Sequence, residues 1–360
     1  MDSIINTDSK ISFLSADGKT SLSGILSVPP TQHSSALKHP ALLFIAGSGP
    51  IDADGTAVGS LTPTLHINIQ KHLSMELTKH FRLVTLRFDK RGIKGSAQSS
   101  DHNLFYKAGI TELVSDIVGA YNFLASQETV DKDRIVLVGH SEGCMLIPAT
   151  NKALTSTAPS APPIFAAAFL SGLGDSLVNS TAYQRRTLAE EIKTAHGLGA
   201  FIMRRVYGAD PQANMEEKAQ EQFKTFRESK DDYSSALFGF VKTPVKWWRE
   251  HLDYQIPGKL QEDYAAIRFH VFGATGDYDI QVDPKTLDQD MHALMPLAPS
   301  IQVHRVPKVS HILRECDYPN TFQNMKAELP EQCKRPLSAE VVNLLGKWIE
   351  DVVVIKGKHE

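Results

Sequence analysis

The 360-residue sequence predicts an α/β fold: a mainly parallel sheet with helices on both faces and a helical segment inserted after the sixth core strand. Three observations predict it. Short apolar runs at residues 41–46, 83–88 and 134–138 alternate with segments of helical periodicity at 69–80 and 107–126. Such alternation builds a parallel sheet covered on both sides. The run at 134–138 leads straight into Gly139-His140-Ser141-Glu142-Gly143, a glycine-framed turn that joins a strand to a helix. Between about residues 173 and 263 the alternation stops, and helical patterns follow one another before strands resume.

Each element has its own signal. The chain opens with a β-hairpin, residues 11–14 and 21–28 around the turn Ala16-Asp17-Gly18-Lys19. A polar, proline-bearing connection leads to the strand at 41–46. In the helix at 107–126, Leu113, Ile117, Ala120, Tyr121 and Leu124 recur at helical spacing and mark its core face. Pro148 sits early in the segment after Ser141 and predicts a kinked or short helix there. Pro162-Pro163 introduces the sixth core strand at 164–170. The insertion reads as helices at 182–196, 200–207, 211–230 and 244–254. A strand at 266–272, a helix at 284–294, a strand at 301–306 and a closing helix at 338–353 complete the chain. The expected organisation is a core domain, residues 1–172 and 264–360, interrupted by a helical lid at 173–263. Trp247, Trp248, Phe238, Phe240 and Val241 of the lid are candidates for a pocket wall, and equally for the lid's own core.

Ser141 is the candidate nucleophile. Gly139 and Gly143 remove side chains that would collide in so sharp a turn. An activated serine needs a histidine base and an acid to orient it, in the chain order Ser, Asp or Glu, His. The strand at 266–272 runs on into Gly276-Asp277-Tyr278-Asp279, and the strand at 301–306 into Pro307-Lys308-Val309-Ser310-His311. Each puts a reactive group just past a strand, where open α/β sheets hold their ligands. The acid is Asp277 or Asp279; His304 lies within its strand and is read as packing or surface. After the strand at 41–46 comes Gly47-Ser48-Gly49-Pro50, whose glycines allow the tight backbone of an oxyanion donor. Ser48 and Glu142, the residue after the nucleophile, are the candidate donors, with Gly47 beside them as a substrate contact.

Three of these segments carry a resemblance. Gly276-Asp277-Tyr278-Asp279-Ile280-Gln281-Val282 resembles the G-x-x-D-x-Q-V stretch of α/β-hydrolases in the serine aminopeptidase S33 and dienelactone-hydrolase-like group. That implies Asp279 as the triad acid. Residues 47–55 resemble the group's G-S-G-P-x-D-x-D-G signature, departing in Ala46, where many relatives carry histidine, and Ala53, where many carry arginine. Residues 87–96 are similar to its D-x-R-G-x-G-x-S loop with one glycine displaced, so Asp89 and Arg91 are read as braces of the loops under the site. The resemblance implies an α/β-hydrolase fold and a serine hydrolase. The expected reaction is cleavage of a carboxylic ester or thioester of a small, largely apolar substrate through an acyl-enzyme. A cyclase, a C–C hydrolase or lyase, an acyltransferase and an S33-type peptidase stay open on the same scaffold.

Composition narrows the partners. With 42% hydrophobic residues the chain can bury a sizeable core. A net charge of -3 and no basic stripe argue against nucleic acid. The 3 cysteines, Cys144, Cys316 and Cys333, fit a reduced compartment, and pairing of Cys316 with Cys333 stays open. No C-x-x-C or H-E-x-x-H pattern occurs, so no metal and no other cofactor is expected. The first residues lack a signal-peptide pattern, and no apolar run reaches the roughly 18 residues of a spanning helix, which makes a cytoplasmic location the expectation. The expected partner is a small ester-like molecule. The oligomeric state is open, with a homodimer through the lid as its candidate.

Overall fold

The computed structural model describes residues 7–29, 38–58, 65–97, 101–157, 161–172, 176–194, 196–208, 210–236 and 241–355. Phe238 and Phe240 lie outside them. The strands, in chain order, are β1 (Thr7–Leu14), β2 (Ser21–Val28), β3 (His39–Ile45), β4 (Val84–Phe88), β5 (Val130–His140), β6 (Ala166–Leu170), β7 (Ser234–Ala236), β8 (Val241–Thr243), β9 (His270–Gly276) and β10 (Ile301–Val306). The helices are α1 (Ile69–Phe81), α2 (Ile110–Ala125), α3 (Glu142–Thr157), α4 (Leu177–Thr194), α5 (Leu198–Tyr207), α6 (Pro211–Glu228), α7 (Val245–Asp253), α8 (Lys259–Ala265), α9 (Leu287–Leu294), α10 (Met325–Gln332) and α11 (Ala339–Trp348).

All strands but β7 and β8 join one sheet in the order β1-β2-β4-β3-β5-β6-β9-β10. The hairpin β1-β2 and the β2–β4 pair are antiparallel, and every pairing from β4 through β10 is parallel. The strands β3, β4 and β6 are buried almost throughout, as expected of strands covered on both faces. Alternate residues feed two cores. Leu43, Ile45 and Leu137 face α2, α3 and α9, whereas Leu42, Phe44, Val136 and Val138 face α1 and α11. The candidate stripe Leu113, Ile117, Ala120, Tyr121 and Leu124 is buried in the first of these.

Several elements differ from expectation. The helix α3 is not short: it runs 16 residues through Pro148. Its buried Cys144, Leu146, Ile147 and Leu154 pack into the core, and that burial outweighs the backbone bond the proline cannot make. The strand expected at 266–272 lies four residues later as β9, because Ala266 caps α8. Its glycines are places of close approach: a Cβ at Gly273 would run into Met291 of α9, and one at Gly276 into the Val309 backbone. The closing helix is α-helical only to Trp348, and residues Ile349–Ile355 widen into π-type turns that bury Ile349, Val352 and Val353.

Between β6 and β9 the chain leaves the sheet for α4 to α7 and the small hairpin β7-β8. Asp210 caps α6 by accepting from Ala213 N at 3.1 Å, with Pro211 at the first helical position. The insertion has its own small core of Phe223, Phe226, Val245 and Leu252, against which Trp248 packs. Leu260 and Tyr264 of α8 already belong to the main core. No helix among the described residues is long and apolar enough to cross a membrane. Cys144, Cys316 and Cys333 are all free thiols, so Cys316 and Cys333 are not paired.

The approach of α2 to β1 makes a test of packing against propensity. An alanine at Gly119 gains about 1 kcal/mol of helix propensity. Its Cβ, however, would run into Leu14 O and stand 2.9 Å from Ser15 Cα. Gly119→Ala is expected to lower unfolding free energy by about 1–3 kcal/mol in denaturant melts, because overpacking exceeds the propensity gain. A more stable variant would show that α2 can withdraw from β1.

Candidate active site

The parallel strands deliver their following loops to one edge of the sheet, and the candidate residues meet there. Ser141 stands between β5 and α3 with φ of 54°, the left-handed conformation that a side chain other than glycine adopts only at a cost. The surroundings hold it in place. Ser141 N donates to Leu170 O of β6 at 3.0 Å, and Cys144 N donates back to Ser141 O at 3.0 Å. A Cβ at Gly139 would lie 2.8 Å from the Gly143 backbone, and one at Gly143 would strike Ile45 O. Both glycines are therefore required by contact.

His311 reaches this serine from the loop after β10. Its Nε2 is 3.1 Å from Ser141 Oγ, and its Nδ1 is 2.8 Å from Asp279 Oδ2. The loop is closed by Ser310 N donating to Arg314 O and Leu313 N donating to Ser310 O, both at 2.9 Å. Asp279 is buried, and its carboxylate takes up four donors. Gln281 N at 2.8 Å and Val282 N at 3.1 Å donate to Oδ1; Thr275 Oγ1 at 3.3 Å and His311 donate to Oδ2. Asp277 instead faces outward and pairs with Arg305 Nε at 2.6 Å. His304 lies on the edge strand against Phe272, away from the serine.

The glycine-rich loop after β3 lies directly over the serine: a Cβ at Gly47 would stand 3.1 Å from Ser141 Cβ. Glu142 N–H is in the first turn of α3, where N–H groups have no acceptor within the helix. Ser48, Gly47, Ser141 and His311 line a cavity of about 130 Å³. Ser48 also lines a second cavity of about 330 Å³, with Lys90, Tyr106 and Trp247. A larger cavity, about 1150 Å³, is a groove beside α1 and α11 that shares no lining residue with either.

The sequence reading missed three residues here. Glu142 is not only a backbone donor: its carboxylate is buried and tied on every side. Lys90 Nζ is 2.9 Å from Oε2, while Trp247 Nε1 donates to Oε1 at 2.5 Å and His251 Nε2 lies 3.2 Å from the same oxygen. Burial alone would push this carboxyl up, but the Lys90 charge and His251 hold it well below the usual range. Trp247 thus reaches the site, whereas Trp248 stacks on Phe226 inside the insertion. His140 packs against His311 with ring centroids 5.2 Å apart, and its Nε2–H donates to His311 O at 3.0 Å. No spacing rule marks Lys90, His251 or His140. Asp89 and Arg91 brace the loops without entering the cavity. Asp89 accepts from Ala53 N at 2.7 Å and Gly95 N at 2.9 Å, and Arg91 holds Asp116 through contacts of 2.8 and 2.6 Å.

Solved structures share this arrangement of sheet and helices. An acylaminoacyl peptidase of Pyrococcus horikoshii matches with a TM-score of 0.51 at 15% identity, covering 97% of this chain and 42% of that one. DcsB, solved in complex with its substrate analogue, matches at 0.52 and 14%, covering 96% and 100%. The α/β hydrolase GrgF of Penicillium sp. sh18 matches at 0.50 and 10%, covering 97% and 100%. The chain has the α/β-hydrolase fold. It spans less than half the length of the peptidase. No family model matches the sequence, and no curated protein matches it. Within this α/β-hydrolase fold the serine, histidine and aspartate loops follow β5, β10 and β9.

His140 offers a pH test. Burial, then the neighbouring His311, pushes its pKa down to about 4. A histidine lowered in the fold contributes stability that is complete above its unfolded pKa, near 6.5, and is lost as pH falls toward 4. Its partly open side toward the cavity screens some of this, leaving about 2–3 kcal/mol between pH 7 and pH 4. Unfolding free energies of the wild type and His140→Asn should therefore converge by that amount on acidification. Parallel curves would show that His140 is not held neutral.

Proposed function

We propose that this protein is a serine hydrolase that cleaves a carboxylic ester or thioester through an acyl-enzyme. The observation that carries the reading is the unbroken chain of contacts from Ser141 Oγ to His311 Nε2 and from His311 Nδ1 to Asp279 Oδ2. Asp279 accepts the Nδ1–H and so leaves Nε2 as the base facing the hydroxyl. Ser141 Oγ attacks the carbonyl carbon while its proton moves to His311 Nε2. The oxyanion is received by the N–H groups of Ser48 and Glu142, with Gly47 giving the backbone room to approach. His311 then delivers its proton to the leaving alkoxide or thiolate. In the second half it takes a proton from water as the water oxygen attacks the acyl carbon, then returns that proton to Ser141 Oγ as the acyl–oxygen bond breaks and the carboxylic acid leaves.

Residues 173–263 act, in this reading, as a lid. Its support is the seat of Trp247 and His251 on Glu142, together with Tyr183 OH donating to Asp279 O at 3.3 Å and Gln184 Nε2 to Gln281 O at 3.0 Å. A cover fastened to the acid loop and the elbow excludes water from the acyl-enzyme. An ester is preferred to an amide because its leaving group needs less protonation. Phe201, Ile202 and Val206 expose an apolar stripe on α5, which supports pairing of two copies through the lid.

Ser141→Ala is expected to abolish fluorophosphonate labelling and to lower kcat by about 10⁴-fold or more. Asp279→Asn should cost roughly 10³–10⁴ in kcat, against a change within about twofold for Asp277→Asn. Labelling retained in Ser141→Ala, or a larger loss from Asp277→Asn, would end this assignment.

A panel of p-nitrophenyl esters beside aminoacyl anilides separates the bond types. Esters are expected to show the higher kcat/KM throughout. Anilides turned over faster than every ester would make the protein a peptidase, and labelling without turnover of either would point to a cyclase, lyase or acyltransferase.

A further inference from the structure

The cavity of about 330 Å³ beside Ser48 is walled by Phe105, Tyr106, Pro244 and Trp247, yet two lysines line it. Their situations differ. Lys90 is buried and its charge is matched by Glu142 at 2.9 Å. Lys242 is partly buried and has no carboxylate partner among the described residues. Its Nζ meets a neutral acceptor, Asn103 Oδ1 at 2.5 Å, and the ring faces of Tyr106 at 5.4 Å and Tyr233 at 5.9 Å. Ring faces and an amide oxygen hold an ammonium in place without neutralising it. An ammonium has three donors, and the amide takes one.

The lining therefore carries two chemically distinct features. One is Ser48, which also lines the space over Ser141. The other is Lys242, an ammonium with no carboxylate partner among the described residues. Apart from Lys90, whose charge Glu142 matches, the rest of the wall is mainly aromatic and apolar, and the volume lies at the small end of ligand cavities, with room for a short chain or a single ring.

Resting on the serine-hydrolase reading, we propose that this cavity binds the acyl part of a substrate whose far end carries a carboxylate, paired with Lys242. The apolar middle of the acyl chain contacts Trp247, Phe105 and Tyr106, and the reacting carbonyl lies at Ser48. A carboxylate at Lys242 forms charge-assisted hydrogen bonds in a partly desolvated site, where they are stronger than in water. A neutral group of the same size forms only an ordinary hydrogen bond there. The substrate class is a mono-ester or mono-thioester of a short dicarboxylic acid.

The test compares p-nitrophenyl mono-esters of glutaric, adipic and suberic acid with the same esters bearing a terminal carboxamide. The wild type is expected to favour the acids by about tenfold or more in kcat/KM at one or more chain lengths, mainly through KM. In Lys242→Met the ratio of acid to amide should fall to about one, and in Lys242→Arg it should be retained. No acid preference in the wild type, or an undiminished preference in Lys242→Met, overturns the proposal and leaves the hydrolase reading standing. Calorimetric titration of Ser141→Ala with monomethyl adipate and with dimethyl adipate reads the carboxylate site without turnover. Tighter binding of the mono-ester that Lys242→Met removes supports it, and equal binding of the two overturns it. Absence of both labelling and ester turnover in the wild type would instead count against the hydrolase reading, with the calorimetric result still deciding the site.

Discussion

The carboxylate of Glu142 is the contact on which the arrangement of the site depends. A buried carboxylate left without partners costs several kcal/mol. Here Lys90, Trp247 and His251 converge on it, one from the loop after β4 and two from α7. Its own place in the first turn of α3 adds the favourable field of a helix N-terminus. Lys90 is fixed in turn by its N–H to Ile51 O at 3.1 Å, and its neighbour Asp89 ties Ala53 to Gly95. One buried charge thus links the elbow, the loops after β3 and β4, and the insertion.

The sheet explains why these loops meet at all. Parallel strands β3, β5, β6, β9 and β10 end at the same edge, so residues far apart in sequence become neighbours there. His311 and Asp279 are 32 positions apart, and His311 and Ser141 are 170 apart, yet each pair is within hydrogen-bond distance. The close glycine contacts are part of the same constraint. Side chains at Gly139 or Gly143 would separate β5 from α3 or α3 from β3, and the serine would move with them.

Much of this was legible because local rules govern it. The turn around Ser141 needs glycines at fixed offsets, and the candidate acid and base were sought just past strand ends, so the positions that the structure brings together could be read without coordinates. Asp279 was separated from Asp277 by a resemblance, and the structure's Asp279 accepts the His311 ring nitrogen while Asp277 pairs outward with Arg305. What stayed hidden depends on contacts between distant segments. Nothing local tells that the side chain of Glu142 would be met by Lys90 and His251, or that Trp247 would turn toward the site and Trp248 away from it. Adjacent residues on a helix point about 100° apart, so which of the two faces the core is settled by docking. The hairpin β7-β8 escaped because its three-residue strands are largely exposed and carry no alternation. The shift of β9 has the same origin, since Gly273 and Gly276 read as loop while α9 and the loop after β10 press them into a strand.

The fastenings of α7 respond unequally to ionic strength. At its outer side Lys246 meets Glu112 at 2.6 Å with both side chains partly exposed, and Glu250 receives Thr111 N at 3.0 Å. Dissolved ions screen such rim charges, over about 8 Å at physiological salt. The Glu142 group lies beneath the helix and out of their reach, with side-chain exposures of 1% for Glu142 and 2% for His251. Added salt accordingly loosens the rim of α7 before its seat.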